Sequence, residues 1–330
     1  MKAKMNHWQR IEAAMRGDPV DRTPISLWRH WPDYDQDPRA LAEVMVRWQR
    51  DWDFDLVKFM PTGTYSIEDW GAQTVYKPTP NGTRTITKPA VADAAQWPKL
   101  ERLDVTRGYF AQQTEALGAA ARALQDSVPI LQTVFSPLTT ARKLAGEGIF
   151  EDMRSQPGLF EAGLEIITEA TCEFARQSLQ AGAHGLFLAS QCSSLDVMTE
   201  DEYRRFGMKH DLQVLAAVRP AARFNMLHVH GTNTMFDLMA SYPVEMLNWH
   251  DRRAQPSLRE AKTRYGGLLV GGIDELATLL DGPAQRIEAE LADAVAQTGG
   301  RRLLLGPGCV CPIATPQTHL RAAVEFLAQQ

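Results

Sequence analysis

The chain has 330 residues, of which 44% are hydrophobic and 23% charged, and its formal net charge is −5. That length and composition suit one large globular domain with a substantial core. A mildly acidic chain gives no reason to expect nucleic acid or an anionic membrane surface as a partner. Four cysteines in a chain of this size do not make a disulfide framework.

The first segment of the chain, MKAKMNHWQRIEAAMRG, predicts a helix within residues 1–20. It lacks the apolar stretch of a secretory signal. No run of about 18 apolar residues follows it anywhere in the chain, so we predict no membrane span. We therefore expect a cytoplasmic protein without a membrane partner.

Short apolar runs recur along the chain at spacings that leave room for helices between them. Each is five to seven residues long, as expected for strands buried on both faces. These predicted strands are Thr23–Trp28, Asp55–Phe59, Pro129–Phe135, Gly185–Ser190, Phe224–His230, Met246–His250, Leu268–Ile273 and Arg302–Gly308.

The longer segments between the strands have apolar residues at helical spacing. Helices are predicted in Phe110–Leu124, Phe160–Gln180, Asp201–Val218 and Ala284–Thr298. Residues 72–127 form a long insertion between strands two and three, and a polar part of it, Lys77–Val91, is typical of a hairpin. Eight strands alternating with helices predict a single α/β domain over residues 1–330, a (β/α)8 TIM barrel with an N-terminal helical extension. An open doubly wound sheet is the alternative, and no Gly-rich dinucleotide turn follows the first strand to support it.

Polar side chains collect where the predicted strands end, which is where TIM barrels carry their active sites. For substrate binding these ends offer Arg29, Tyr65, Gln191 and Cys192. Arg29 suits an anionic substrate group, although an ion pair with a nearby aspartate is equally consistent, and Cys192 also suits a core position. The same reasoning gives His250 as a candidate general base and Asp251 as a candidate partner for an imidazole. A packed histidine and an Asp–Arg pair are the alternatives.

His228 and His230 are separated by one residue at the end of a predicted strand. Residues two apart in a strand point to the same side, so both imidazoles could bind one metal ion. Cys309 follows the last strand in a Gly-Pro-Gly-Cys loop. Two imidazoles and one thiolate form a ligand set that zinc favours, with a fourth position left open. The alternative is two hydrogen-bonded interior histidines and one buried thiol, and Cys311 is a weaker candidate ligand.

Several segments resemble the uroporphyrinogen decarboxylase superfamily, in the same order and spacing over nearly the whole chain. They are RIEAAMRGDPVDRTPISLW, DFDLVKFMPTGTYSIEDWG, FSPLTTARKLAG, HVHGTNTMFDLM, LNWHDR, GGID and GPGCVCPIATPQTHLRAAVEF. The chain resembles the zinc-dependent corrinoid methyltransferase branch more than the true decarboxylases. The decarboxylase signature resembles Met-Arg-Gln-Ala-Gly-Arg, whereas this chain keeps only Arg29 of its two arginines.

The resemblance implies a TIM barrel and a methyltransferase. His228 matches the family's histidine ligand and Cys309 its distal cysteine, while His230 replaces the cysteine of a His-x-Cys pair. The resemblance also implies zinc, a methyl group moved between a corrinoid protein and a thiol or tetrahydrofolate, and a corrinoid supplied by a partner, because this chain lacks an Asp-x-His-x-x-Gly motif. A decarboxylase-like lyase and a metal-dependent hydrolase acting on a small carboxylated substrate remain alternatives. A homodimer is also expected.

Overall fold

A curled sheet of seven parallel strands forms the centre of the protein in this computed structural model, which describes residues 4–327. A separate two-stranded antiparallel hairpin lies beside it. The strands are β1 (Val57–Phe59), β2 (Gln73–Val75), β3 (Thr85–Lys88), β4 (Ile130–Phe135), β5 (Gly185–Ser190), β6 (Met226–Val229), β7 (Met246–Trp249), β8 (Leu268–Ile273) and β9 (Leu303–Pro307). The parallel sheet runs in the order β1-β4-β5-β6-β7-β8-β9. Its strands are buried along their whole length, because helices cover the outer face and side chains fill the inside.

The helices come in chain order between and after the strands. They are α1 (His7–Arg16), α2 (Pro38–Trp52), α3 (Tyr65–Glu68), α4 (Gly108–Leu124), α5 (Pro137–Ala145), α6 (Ile149–Ser155), α7 (Pro157–Gln180), α8 (Glu200–Tyr203), α9 (Lys209–Val218), α10 (Phe236–Ala240), α11 (Leu258–Arg264), α12 (Ala284–Thr298) and α13 (Gln317–Leu327). In the described part of the chain, no helix combines the length and apolar character needed to cross a bilayer.

Sequence periodicity places the long helices within a few residues of their observed bounds. Ala284–Thr298 is observed as predicted, with Pro283 as its N-cap. The predicted Phe160–Gln180 begins three residues earlier, at Pro157, where a proline at the first position suits a helix start. The predicted Asp201–Val218 is interrupted by a π-helical segment, Arg204–Met208. Helix α1 lies within residues 1–20, of which residues 1–3 are outside the described part.

The prediction of a full strand at Thr23–Trp28 is wrong, because only one β-bridge forms there, between Ile25 and Leu305. The Ser26 amide donates to the Leu305 carbonyl, and the Leu305 amide donates to the Pro24 carbonyl. Pro24 has no N–H to extend this ladder. On the other side, the Asp55 amide donates to the Ile25 carbonyl. The segment thus lies between β9 and the residues that lead into β1.

Asp55 attaches the N-terminal segments to the start of β1. Its carboxylate has no exposed surface and accepts from Arg10 at 2.5 Å, Arg22 at 2.6 Å and the Ile25 amide at 2.9 Å. His7 lies 3.0 Å away through Nδ1. Because the charges are paired, their burial is tolerated. Burial acts to raise the pKa of Asp55, but the hydrogen bond from His7 and the charges of Arg22 and Arg10 hold it below its ordinary value.

The hairpin of β2 and β3 projects from the region predicted as the insertion 72–127. Its connecting turn bends over the carboxyl ends of the parallel strands. The Ile313 amide donates to the Pro80 carbonyl at 2.8 Å. Gly82 has a positive φ of 73°, and a Cβ there would lie 2.7 Å from the Ile313 side chain. The turn is therefore held tightly against the loop that follows β9.

Candidate metal centre

The loops that follow β6, β7 and β9 bring three histidines and one cysteine together. His228 lies in β6 and His230 directly after it, while His250 follows β7 and Cys309 follows β9. One potential ligand atom from each side chain lies within 4.8 Å of all the others. The three residues predicted as metal ligands are thus neighbours, and His250, predicted as a catalytic base, joins them.

Asn248 fixes the orientation of the His228 ring. In the register of the sheet His228 lies opposite Asn248, and His228 Nδ1 is 2.6 Å from Asn248 Oδ1. The amide nitrogen of Asn248 donates to the carbonyls of Val270 and Pro307, at 2.9 and 3.0 Å. The Asn248 oxygen must therefore be the acceptor, so His228 carries its proton on Nδ1. This leaves the Nε2 lone pair of His228 free to bind a metal.

His230 and His250 face each other through ring nitrogens. His250 Nε2 lies 3.2 Å from His230 Nδ1, which requires a proton on one of the two nitrogens. A cation placed among the four side chains could substitute for that proton. On its other side, His250 Nδ1 lies 3.0 Å from Arg253 Nη2 and 3.4 Å from Glu275 Oε1. Glu275 and Arg253 are themselves paired, so they hold the His250 ring in place.

The protonation states of the cluster suit metal binding. Burial holds the pKa of His228 far below its ordinary value, and the neighbouring His230 and His250 lower it further. Burial and His250 lower the pKa of His230 to about 4. Both rings are therefore neutral at neutral pH, as ligands must be. Burial and the Glu275 carboxylate raise the pKa of the Cys309 thiol, and a bound dication would reverse that shift. The donor set fits zinc.

A cavity of about 130 Å³ opens on one side of the cluster. Gln191, predicted to bind substrate, is among the lining residues. They are Trp28, His30, Lys58, Met60, Pro61, Gly63, Asn81, Thr83, Thr133, Phe135, Lys143, Phe187, Ala189, Gln191, His228, His230, Cys309 and Val310.

Two other residues predicted for substrate binding lie away from this lining. Arg29 borders a smaller neighbouring cavity, where its guanidinium donates to the Ile313 carbonyl at 3.0 Å and lies 4.6 Å from the Trp31 ring. Tyr65 is 1% exposed, and its hydroxyl donates to the Thr133 carbonyl at 3.0 Å. Burial raises the pKa of Tyr65 well above its ordinary value.

Cys192 and Asp251 are also buried outside the cavity lining. Cys192 has no exposed surface, and burial raises the pKa of its thiol to about 12. Asp251 accepts from the Gly272 amide at 3.0 Å, and burial raises the pKa of its carboxyl to about 7. The carboxylate that lies beside a cluster imidazole is Glu275. Burial likewise raises the pKa of the Cys311 thiol to about 12, and Cys311 lies outside the four-residue cluster.

Sequence reasoning did not select Lys58, Lys143 or Asn248. Lysines are mostly surface residues, and Lys58 could have been noticed only as a charge inside an apolar strand, DLVKF. Asn248 occupies a similar position in MLNW. Its role depends on pairing between strands that are separate in the chain, which no local pattern reveals.

The family model described as uroporphyrinogen decarboxylase (URO-D) matches residues 6–330. Methylcobamide:CoM methyltransferase MtaA from Methanosarcina barkeri is 27% identical over 340 residues, which cover 96% of this chain and 95% of that protein. A uroporphyrinogen decarboxylase from Anaeromyxobacter dehalogenans is 24% identical, with 96% and 97% covered. In structure, a methyltransferase from Methanosarcina mazei aligns with a TM-score of 0.86 at 22% identity, covering 99% of both chains. At that identity the structural likeness concerns the fold.

Proposed function

The chain belongs to the uroporphyrinogen decarboxylase family, and from that premise we propose that it is a zinc-dependent methyltransferase acting between a corrinoid protein and a thiol. The observation that carries this proposal is the group of four ligand atoms within 4.8 Å of one another beside the cavity. The 27% identity to a methylcobamide:CoM methyltransferase over 96% of the chain supports it. In this proposal tetrahydrofolate is the alternative acceptor.

In this proposal residues 1–330 form one (β/α)8 barrel. Residues 23–28 take the place of its first strand, and the backbone hydrogen bonds of Pro24, Ile25 and Ser26 to both sides support that reading. Residues 1–20 and 72–127 are then the extension and the insertion. The corrinoid comes from a partner protein that presents the methyl group at the cavity.

We assign His228, His230 and Cys309 as the zinc ligands. Zinc, when bound, makes a thiol a nucleophile at neutral pH by favouring its deprotonated form. His228 is oriented for this task by Asn248. A catalytic zinc site keeps one position open for substrate, so three ligands suit the function better than four.

His250 then has the role of proton acceptor. Its Nε2 atom faces the cluster, and its Nδ1 atom lies 3.4 Å from the Glu275 carboxylate. To take the thiol proton on Nε2, His250 must hold its own proton on Nδ1, so the Arg253 donor 3.0 Å from Nδ1 has to give way to the Glu275 carboxylate, which then stabilises the imidazolium. Gln191 borders the cavity and contacts the substrate. Arg29, Tyr65, Cys192 and Asp251 hold the walls in place from behind the lining.

The proposal is tested by metal content and by methyl transfer from methylcobalamin to 3-mercaptopropionate, followed by absorbance without oxygen. We expect about one zinc per chain, lost in His228→Ala and Cys309→Ala and retained in His319→Ala, a histidine on α13 outside the cluster. His250→Gln should keep the zinc and lose about 100-fold or more in transfer rate.

Three results would count against parts of the proposal. A folded wild-type protein that takes up no zinc would overturn it entirely. Loss of zinc in His250→Gln would make His250 a fourth ligand rather than a base. If the protein binds zinc and transfers the methyl group to tetrahydrofolate but to no thiol, then tetrahydrofolate replaces the thiol as the proposed acceptor.

A further inference from the structure

Two lysines face the cavity without an acidic partner. Lys58 in β1 is 5% exposed, and Lys143 in α5 is half-buried. Within residues 4–327, neither forms an ion pair with a carboxylate. Buried charges in proteins are usually paired, so two unpaired ones lining the same cavity need an explanation.

The contacts that the two ammonium groups do make are with neutral groups. Lys58 Nζ lies 2.7 Å from the Met60 sulfur and 4.1 Å from the centre of the Phe187 ring. Lys143 Nζ donates to the Gly63 carbonyl at 3.0 Å and lies 4.4 Å from the Phe135 ring. A thioether is a weak acceptor, and ring faces attract a cation only modestly. Each ammonium therefore keeps donors free for another partner.

A third buried group in the cavity wall is incompletely bonded. His30 is 6% exposed and lines the cavity, and its Nδ1 atom has no hydrogen-bond partner. Burial lowers the pKa of His30 to about 3, and the charges of Lys58 and Lys143 both contribute. The two lysines therefore act on the same ring. The neutral ring bonds the Pro61 carbonyl through its one N–H, so the unpartnered Nδ1 has a lone pair, which accepts from an N–H or O–H donor and does not meet an anion.

The charge of the metal centre does not compensate the lysines. On the proposed function, a dication held by one thiolate and neutral imidazoles retains one positive charge. Glu275, the buried carboxylate nearest the cluster, is already paired with Arg253 and lies beside His250. The cavity thus has an excess of positive charge at two places, the metal centre and the lysines.

We propose that Lys58 and Lys143 form a subsite for the carboxylate or sulfonate group of the substrate. This inference rests on the proposed function for the identity of the other end of the molecule, a thiol. The substrate is then a small organic acid with a thiol at one end, and its apolar part contacts Phe135 and Phe187. This assignment gives the lysines the anion-binding role that the sequence suggested for Arg29.

The subsite predicts a preference between two thiols that differ in charge. Calorimetry on the zinc-loaded protein should show 3-mercaptopropionate binding about ten-fold or more tightly than 3-mercaptopropan-1-ol, as expected for charge-assisted hydrogen bonds. Lys58→Met and Lys143→Met should each reduce that ratio about five-fold while leaving the affinity for the neutral thiol unchanged. Lys209→Met is the matched control, because that lysine pairs with Glu165 on α7 and loses the same charge away from the cavity.

A second pair of probes separates the subsite from the proposed function. Benzoate and benzyl alcohol have no thiol and test the anion subsite on the protein as purified. If neither thiol binds but benzoate binds in a Lys58- and Lys143-dependent manner, the subsite stands and the thiol methyltransferase fails. If both thiols bind equally well, the methyltransferase stands and the subsite is overturned. If the preference for the acid persists in both folded lysine variants, or no anion binds, the subsite is likewise overturned.

Discussion

Lys58 is a charged side chain between two buried hydrophobic neighbours in the three-residue strand β1. Its burial lowers the pKa of the ammonium group to about 7. A lysine in an unfolded chain keeps its proton up to about pH 10. The folded protein therefore loses stability by holding this charge, and the cavity gains an anion-binding group in return.

The Lys58→Met variant should be more stable than the wild type near neutral pH. Between about pH 7 and pH 10 the unfolded wild-type chain binds more protons than the folded one, so its free energy of unfolding rises with pH. Lys58→Met lacks this dependence. Its advantage should shrink, on the order of 2 kcal/mol, between about pH 7 and pH 9.5, as measured by urea unfolding. Lys209→Met, which removes the same charge at a half-exposed position, is the matched control, and a pH-independent difference for Lys58→Met would contradict the prediction.

For individual residues, the sequence predicted the parts of the site that lie close together in the chain. His228 and His230 are separated by one residue, and strand geometry places them on one side. Cys309 was selected by the Gly-rich loop around it. The position of His250 beside the cluster and the support from Asn248 and Glu275 depend on contacts between separate strands and loops, and local patterns do not contain them.

The loop after β9 can approach the loop after β7 only because Gly308 has no side chain. A Cβ at Gly308 would lie 2.9 Å from His250 Cα, 3.2 Å from His250 Nδ1 and 3.3 Å from Glu275 Oε2. Cys309 is the next residue. The close contact of these two loops thus sets the position of the thiol relative to the imidazoles.

Gly308→Ala should weaken metal binding with little change in the fold. The added methyl group must push the loop after β9 away from His250, which moves the Cys309 thiol. We expect metal affinity to fall about ten-fold or more, the range seen when support around a ligand is disturbed. Competition with a chromophoric chelator measures it. Gly266→Ala, where a Cβ would meet nothing within 4 Å, is the control, and equal affinity in the two variants would count against this role of Gly308.

Element by element, the apolar runs predicted the seven strands of the parallel sheet well. The strand predicted at Thr23–Trp28 is reduced to a bridge at Ile25, and hydrophobicity alone could not reveal this. Pro24 has no N–H with which to extend the hydrogen-bond ladder to β9. Polar contacts through Asp55 hold the segment in place instead. The π-helical segment Arg204–Met208 was also not predictable from periodicity, because it changes the hydrogen bonding without removing the apolar face.

Over the whole molecule, Asp55 joins segments that come from three parts of the N-terminal region. Helix α1 contributes Arg10, the following loop Arg22, and the bridge segment the Ile25 amide. These contacts fasten the bridge segment beside β1, opposite its hydrogen bonds to β9. The curled sheet therefore depends on one buried carboxylate where a strand pairing is incomplete.

Asp55→Asn should lower the free energy of unfolding by about 3 kcal/mol or more, because Arg22 loses its counter-charge and the buried Arg10 loses one of its two, keeping only Asp21. Since the folded state depresses the pKa of Asp55, its contribution is present at neutral pH and is lost as pH falls. Asp53→Asn, whose carboxylate is 79% exposed, should change stability by less than about 0.5 kcal/mol. Urea unfolding of both variants decides the matter, and similar losses in the two would refute the role given to Asp55.

The hairpin of β2 and β3 supplies Asn81 and Thr83 to the cavity wall, although neither of its strands takes part in the parallel sheet. The hairpin thus contributes to substrate recognition, although it is not part of the parallel sheet that forms the centre of the fold. Such a part can be exchanged: a hairpin grafted from a relative, with the Pro80–Ile313 hydrogen bond kept, would alter which molecules enter while leaving the ligand cluster intact. Substrate choice and catalytic chemistry could therefore diverge independently in this scaffold.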